Sequence, residues 1–402
     1  MSRRTADAVP GYLLGFLFVG LAGTMAGPGL SHLRDRVGTD DGGIALVFAT
    51  QAAGYTIGSL VAARGLDAGR GHVRWVVAMV VATASVATIG TLDTLAPMAL
   101  AFAVLGFCAG ICDASGNVLV AWSRPSGAGP ALNALHMMFA VGTMLSPIVV
   151  DRSLAITDSV WGVAVPLSFI GLASSVVLLR RPSPARTRFE TVARSVASGA
   201  RHIHVGLVCA FFLVYVGLEM TFASWIHSYV EQVGYGGAAT ATGVTVMFGA
   251  GFTLGRLVAI PVARRESPGR ILAVTSAMAV ATSATFVLFD GPGAALWVIS
   301  FAFAVSVAPQ YASMMAFAES HLALGGRDAS AFVASSGVGL LVMPWLTGQL
   351  FDDTGPEALP WTVFVLAVVA AAVLAVVATA LRSLTPGTDQ RPPATSSIEP
   401  VT

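Results

Sequence analysis

Residues 106–147 read GFCAGICDASGNVLVAWSRPSGAGPALNALHMMFAVGTMLSP. One acid (Asp113), one histidine (His136) and two amides (Asn117 and Asn133) sit here inside two apolar runs joined by a short Arg/Pro/Gly turn. If these runs cross a bilayer, an Asp at that depth costs roughly 2.5–3.5 kcal/mol on insertion scales, which marks it as a functional-site candidate. Glu219 and Gln310 lie in later runs of the same kind, and Gln51 in an earlier one. A carboxyl at membrane depth can gain and lose a proton through a cycle, and a neighbouring imidazole can share that proton or orient the carboxyl. Asn117, Asn133, Gln51 and Gln310 offer donors and acceptors to hydroxyl groups. They could instead join helices, at about 0.6–2 kcal/mol each. Trp225 and Tyr229 could stack on a sugar face or belong to the interfacial aromatic belt.

Positioning such groups requires a scaffold, and composition names its class. The 402-residue chain is 55% hydrophobic and 11% charged, with a mean hydropathy of +0.78. Soluble domains carry about 25% charged residues. Apolar stretches of about 20 residues, enough to cross ~30 Å as helix, recur throughout. They are continuous rather than alternating, which excludes a β-barrel. A net charge of +1 gives no reason to expect a nucleic-acid partner. Cys108, Cys112 and Cys209 fall in apolar runs and read as small hydrophobes. No cysteine, histidine or acid spacing suggests a metal site, and no cofactor or catalytic motif accompanies the buried acids.

Twelve spans are expected: 11–30, 43–63, 73–92, 96–122, 130–150, 159–179, 204–227, 236–262, 269–289, 293–318, 329–350 and 359–381. With the N-terminus inside, 18 Arg fall on the inner side and three (Arg34, Arg36 and Arg152) on the outer. The positive-inside rule then puts both termini in the cytoplasm. The first span reads as uncleaved, and the whole as a multi-pass protein of the inner (plasma) membrane.

An internal repeat divides the chain. Phe18-Val-Gly-Leu21 matches Tyr215-Val-Gly-Leu218, and Gly54-Tyr-Thr-Ile-Gly58 matches Gly251-Phe-Thr-Leu-Gly255. Gly142 and Pro147 match Gly339 and Pro344, all at one offset of 197 residues. The fold class is therefore all-α, with two parallel six-helix repeats: residues 1–180 and 204–383. An Arg-rich cytoplasmic linker over 181–203, with a surface helix near 187–199, joins them. A Pro/Thr/Ser-rich tail over 384–402 is expected to be disordered.

The repeat does not extend to the ionisable groups. Asp113 falls opposite Gln310, Glu219 opposite Ala22 and His136 opposite Val333. At 1.5 Å per residue, Asp113, His136, Glu219 and Gln310 all lie within about 6 Å of the midplane. Transporter sites sit at that depth, between repeats.

The residues also resemble a known family. Asp113-x3-Asn117 is followed by Leu135-His136-x2-Phe139-x2-Gly142-x4-Pro147. Then come Phe211-x3-Tyr215-Val-Gly217-x-Glu219-x5-Trp225-Ile-x2-Tyr229, Pro309-Gln-Tyr-Ala-Ser and Gly337-Val-Gly-x4-Pro344-Trp-Leu-Thr-Gly348. In order and spacing these words are similar to the fucose–proton symporter family of the major facilitator superfamily, nearest its sodium-dependent glucose-transporter-like branch. The resemblance runs from about residue 11 to 381. It implies alternating-access symport of a monosaccharide or similar polyol with H⁺ or Na⁺. It also implies that Asp113 and Glu219 are the span-4 and span-7 acids of the coupling site; His136 joins the coupling candidates on its depth and its capacity to share a proton. Some sugar-symporting members carry an acid in span 1, and this chain has none there.

The stretch Gly58-Ser-Leu-Val-Ala-Ala-Arg64-Gly-Leu-Asp67-Ala-Gly69-Arg70 resembles the major-facilitator loop between spans 2 and 3. Arg64, Asp67 and Arg70 are gating candidates on that ground. Arg256, deeper in span 8, is expected to pair with an acid such as Glu319 in one state or to snorkel. The competing function is a proton-coupled exporter of amphipathic molecules, which Met137, Met138, Met144, Met314 and Met315 would suit. The partners expected are a small-molecule substrate, H⁺ or Na⁺ and the lipid bilayer, with the chain a monomer.

Overall fold

Apolar runs punctuated by Gly, Pro and Arg become helices that stop where the punctuation stands. A computed structural model describes residues 8–39, 41–67, 69–124, 128–184, 198–235, 237–322 and 324–383. In chain order the helices are α1 (Val9–Gly23), α2 (Leu30–Val37), α3 (Asp41–Asp67), α4 (Gly71–Ile89) and α5 (Leu95–Ser123). Next come α6 (Ala128–Thr157), α7 (Ala164–Leu179, after a 3-10 turn at Val160–Val163), α8 (Ser198–Val233) and α9 (Gly237–Val262). Then follow α10 (Pro268–Val287), α11 (Ala295–Val307), α12 (Gln310–Leu322), α13 (Gly326–Thr354) and α14 (Ala358–Arg382).

Among the described residues, eleven helical segments are long and apolar enough to cross a membrane, and the shorter apolar α1 adds a twelfth. Local chemistry fixes their ends. Ser267 caps α10 by accepting from the Arg270 N–H, and Pro268 occupies the first turn, where no N–H is needed. Asp328 caps the start of α13 by accepting from the Gly325 N–H at 2.9 Å.

Several spans differ from the sequence expectation. The first helix stops at Gly23 rather than residue 30, because Gly27-Pro28-Gly29 turns the chain into the short α2. The fifth runs on to Thr157, seven residues past the expected limit, with Pro147 accommodated inside it. The tenth is broken into α11 and α12 around Ala308-Pro309. The eleventh and seventh also exceed their expected limits. The helix α8 begins at Ser198, inside the stretch 181–203 read as linker. The expected surface helix falls mostly on residues 185–197, and the tail on 384–402, both outside the described residues.

The shared glycines of the repeat are helix crossings. A Cβ on Gly20 would overlap the Phe139 carbonyl oxygen, and one on Gly142 the Leu17 carbonyl, so α1 and α6 touch backbone to backbone. Their repeat partners do similar work: Gly339 lies on the Leu213 carbonyl and Gly217 on Met343, joining α13 to α8. Between the halves, α3 packs on α13, and α6 on α9 and α12. Twelve alternating crossings bring the start of α1 and the end of α14 to one face of the bundle, called here the terminal end.

Candidate functional site

Four glycines bring α3 and α5 into contact. Gly54 and Gly58 lie against the carbonyls of Ala103 and Phe107, and Gly106 and Gly110 against those of Gln51 and Tyr55. Small-xxx-small spacing of this kind lets helices approach closely. At this separation the Tyr55 hydroxyl donates to Asp113 Oδ2. Asn117, one turn on, donates Nδ2–H to Asp113 Oδ1 at 3.0 Å. Both carboxylate oxygens are therefore engaged. Asn117 Oδ1 is left as an acceptor, and His136 Nε2 lies 3.0 Å from it. With the amide in that orientation, Nε2 carries the proton and donates. Asp113, Asn117 and His136 are all buried.

The other half supplies the second acid and a cation. Tyr215 OH lies 2.7 Å from Glu219 Oε2 and 2.9 Å from the Val307 carbonyl, which the break between α11 and α12 leaves open. Arg256 is buried beside them. Its guanidinium lies 4.2 Å from the Phe252 ring centroid, a cation–π distance. Its NH1 crosses between halves and donates to the His136 carbonyl at 2.7 Å. Arg256 is the cation that both Asp113 and Glu219 feel. The Tyr311 ring completes the group, 4.6 Å from the His136 ring and 4.8 Å from that of Phe212. The set thus joins α3, α5, α6, α8, α9 and α12 at mid-depth between the halves.

Residues 12–332 match the family model for the Major Facilitator Superfamily. The chain belongs to that superfamily. It is 24% identical to sodium-dependent glucose transporter 1 of Homo sapiens over 377 residues, covering 83% of this chain and 72% of that protein. It is 25% identical to sodium-dependent glucose transporter 1A of Mus musculus over 373 residues, covering 83% and 87%. Among solved structures it is similar to the transporter FucP in the outward conformation, with a TM-score of 0.72 at 14% identity, covering 96% and 100%. The proton:xylose symporter XylE bound to 6-bromo-6-deoxy-D-glucose gives 0.73 at 13% identity, covering 91% and 94%. These two likenesses establish the twelve-helix fold. This major facilitator protein is a multi-pass membrane transporter and not an enzyme.

Of the residues singled out from sequence, Asp113, Asn117, His136, Glu219 and Arg256 come together. Asp113 and His136 are linked through Asn117 rather than directly. Arg256, expected to gate, lies deep in the bundle in this state. It turns to the His136 carbonyl, while Glu319 accepts from the Leu324 N–H at 3.1 Å. Asn133 lies one turn from His136 and donates to the Gly129 carbonyl.

The remaining candidates face elsewhere. Gln51 donates to the Gly23 carbonyl and closes the open end of α1. Gln310 donates to the Ser306 carbonyl and lies 3.4 Å from Ser276 Oγ, inside the second half. Trp225 donates to the Pro344 carbonyl and packs its ring, tilted, against Phe351, so it joins α8 to α13. Tyr229 is buried against Phe286. Arg64 and Arg70 are exposed at the terminal end, and the side chain of Asp67 lies outside the described residues.

The hydroxyls of Tyr55, Tyr215 and Tyr311 escaped the sequence reading. A signal existed for two of them. Tyr215 stands four residues before Glu219, on the same helix face. Tyr55 and Phe252 occupy the same place in the repeat, so the matched words differ there by one hydroxyl.

At the terminal end this transporter's halves meet closely. Gly129 of α6 lies against Ala263 and Ala316, and Trp122 of α5 donates its indole N–H to the Leu324 carbonyl at 3.3 Å.

Proposed function

We propose that the chain is a secondary active transporter that carries a monosaccharide or similar polyol together with H⁺ or Na⁺ by alternating access. One observation supports it above the rest: Asp113 and Glu219, on opposite halves, are buried together with Arg256, the one buried guanidinium among the described residues. With both acids ionised the group carries one excess negative charge. An unbalanced charge at this depth is costly, so a monovalent cation or proton is the natural complement. Asp113 and Glu219 hold the coupling cation, and His136 orients the network. Asn117, Asn133 and Tyr311 supply hydrogen-bonding groups of the kind that sugar hydroxyls need. The relatives named for glucose, and the neighbours named for fucose and xylose, support the substrate class by analogy, since one fold hosts many substrates.

On this reading the terminal end is cytoplasmic, as the Arg distribution requires. The protein resides in the inner (plasma) membrane as a monomer of two six-helix units, 1–180 and 204–383. Arg64, Asp67 and Arg70 act at the cytoplasmic gate.

The test is uptake of D-glucose, D-xylose and L-fucose into proteoliposomes under imposed H⁺ or Na⁺ gradients. Accumulation that needs one of the gradients, and that Asp113→Asn abolishes, is the expected result. Absence of coupled flux, or an Asp113→Asn variant equal to wild type, overturns the reading. Raised tolerance of expressing cells to amphipathic toxicants without sugar uptake would favour the exporter alternative.

A further inference from the structure

Buried polar atoms nearly always find a hydrogen-bond partner. Between the halves, on the terminal side of Asp113, several do not. Asn133 Oδ1, Ser330 Oγ and Arg256 Nε are buried without a partner among the described residues, and the buried Tyr311 hydroxyl has only Ser336 beside it. Asn133, Ser330 and Tyr311 are each more than nine-tenths buried.

Their placement follows from register. Gly129, Asn133 and His136 share one face of α6, at i, i+4 and i+7. Gly129 touches Ala263 and Ala316 of the other half, and His136 touches Tyr311 and Arg256. Asn133 lies between these contacts and faces the same helices. Ser330 lies seven residues before Gly337 on α13 and so shares its face. Gly337 lies against Thr56 and Tyr55 of α3. Val333, between them, packs on Ala62 and Ala114. Ser330 therefore faces the first half. The seal at the terminal end has polar groups on both walls that no side chain of the other wall matches.

We infer that Asn133 on the α6 wall and Ser330 on the α13 wall, with Tyr311 of α12, line a release path for a polyhydroxylated solute, sealed in this state and wetted when the terminal end opens. The inference rests on the transport reading above and extends it. The groups are neutral donors and acceptors on three helices from both halves, which suits hydroxyls. The unpartnered Arg256 Nε–H beside them is a donor, which suits an oxygen and not a cation. Each unmatched group destabilises the sealed state relative to an open, hydrated one, by about fivefold or more in population. The same atoms that receive the solute thus also favour opening towards the side where it leaves.

The test uses the full chain with its three cysteines replaced by alanine and the near-isosteric Ser330→Cys as reporter. Labelling by a membrane-impermeant maleimide from the terminal end is measured without sugar. Adding Asn133→Leu, of similar shape but without the orphan oxygen, is expected to slow labelling about fivefold. In the otherwise native chain, Asn133→Leu is expected to lower the maximal rate of D-glucose influx several-fold while its half-saturation from the far side stays put. Labelling that is unchanged by Asn133→Leu overturns the release path. Absence of D-glucose influx in the native chain would instead count against the transport reading, and the sugar-free labelling would still decide this one.

Discussion

Arg256, in the second half, donates a 2.7 Å hydrogen bond to the backbone carbonyl of His136, in the first. A charged side chain thereby ties one repeat to the main chain of the other, at the level where Asp113 and Glu219 are buried. Anything that alters the charge on either acid acts on a group that also holds the halves together. Coupling between bound cation and conformation then has a physical carrier, a contact whose strength differs between the states.

Replacing Arg256 by Gln leaves two buried acids with no shared cation and removes a charge-assisted hydrogen bond, worth about 1.5–3 kcal/mol. Gradient-driven sugar accumulation is expected to fall to background and thermal stability in detergent to drop. Arg256→Lys keeps the charge without the fork geometry and should recover part of the stability. Paired uptake and unfolding measurements check both.

Tyr55→Phe removes one of the two side-chain donors to Asp113 and little else. A hydrogen bond to a carboxylate at this depth is worth enough to reduce coupled uptake about tenfold. Expression and helix content should be unaffected, since the ring stays in place. Uptake normalised to reconstituted protein provides the measurement.

Gly110→Ala puts a methyl group onto the Tyr55 carbonyl oxygen. The helices α3 and α5 must separate, at a cost of about 1–3 kcal/mol. That shift also draws the Tyr55 hydroxyl away from Asp113. The variant should lose both stability and coupling, whereas Tyr55→Phe loses coupling alone. Thermal unfolding of the two side by side discriminates them.

Trp225→Ala should behave as a packing lesion. Its indole packs against the Phe351 ring and donates to the Pro344 carbonyl at 2.9 Å, so truncation is expected to cost about 3 kcal/mol. Trp225→Phe keeps a ring and should restore most of the stability with an unchanged half-saturation for sugar. A large rise in half-saturation for Trp225→Phe would place this residue against the substrate instead.

Much of the fold was legible because bilayer crossing imposes a length and a composition on each helix. The repeat was legible because its shared words contain the glycines on which helices cross, Gly20 with Gly217 and Gly142 with Gly339 among them. Helix ends set by local turns were less so: Gly27-Pro28-Gly29 ends α1 early, although the apolar run continues past it. Within the site, charge at membrane depth pointed to Asp113, Glu219 and His136. Arg256 was read as a gating or snorkelling residue because an Arg six residues from a helix end can reach the surface. Only the packing of α9 against α6 turns it inward. Trp225 and Tyr229 drew attention as aromatics near the outer end of a span, where a sugar or the interface could meet them; here adjacent helices pack on both. Tyr55 and Tyr311 carry no charge, and hydroxyls in apolar runs attract no notice until a neighbouring helix supplies the acid.

The glycine crossings lie within each half and bring main chain against main chain, as at Gly54, Gly58, Gly106 and Gly110. Across the divide, Gly129 and Gly337 meet side-chain atoms instead. Main-chain contacts have no rotamers to change, so each six-helix unit is stiff. Whatever motion this protein performs is therefore a rocking of two hard bodies over a soft seam.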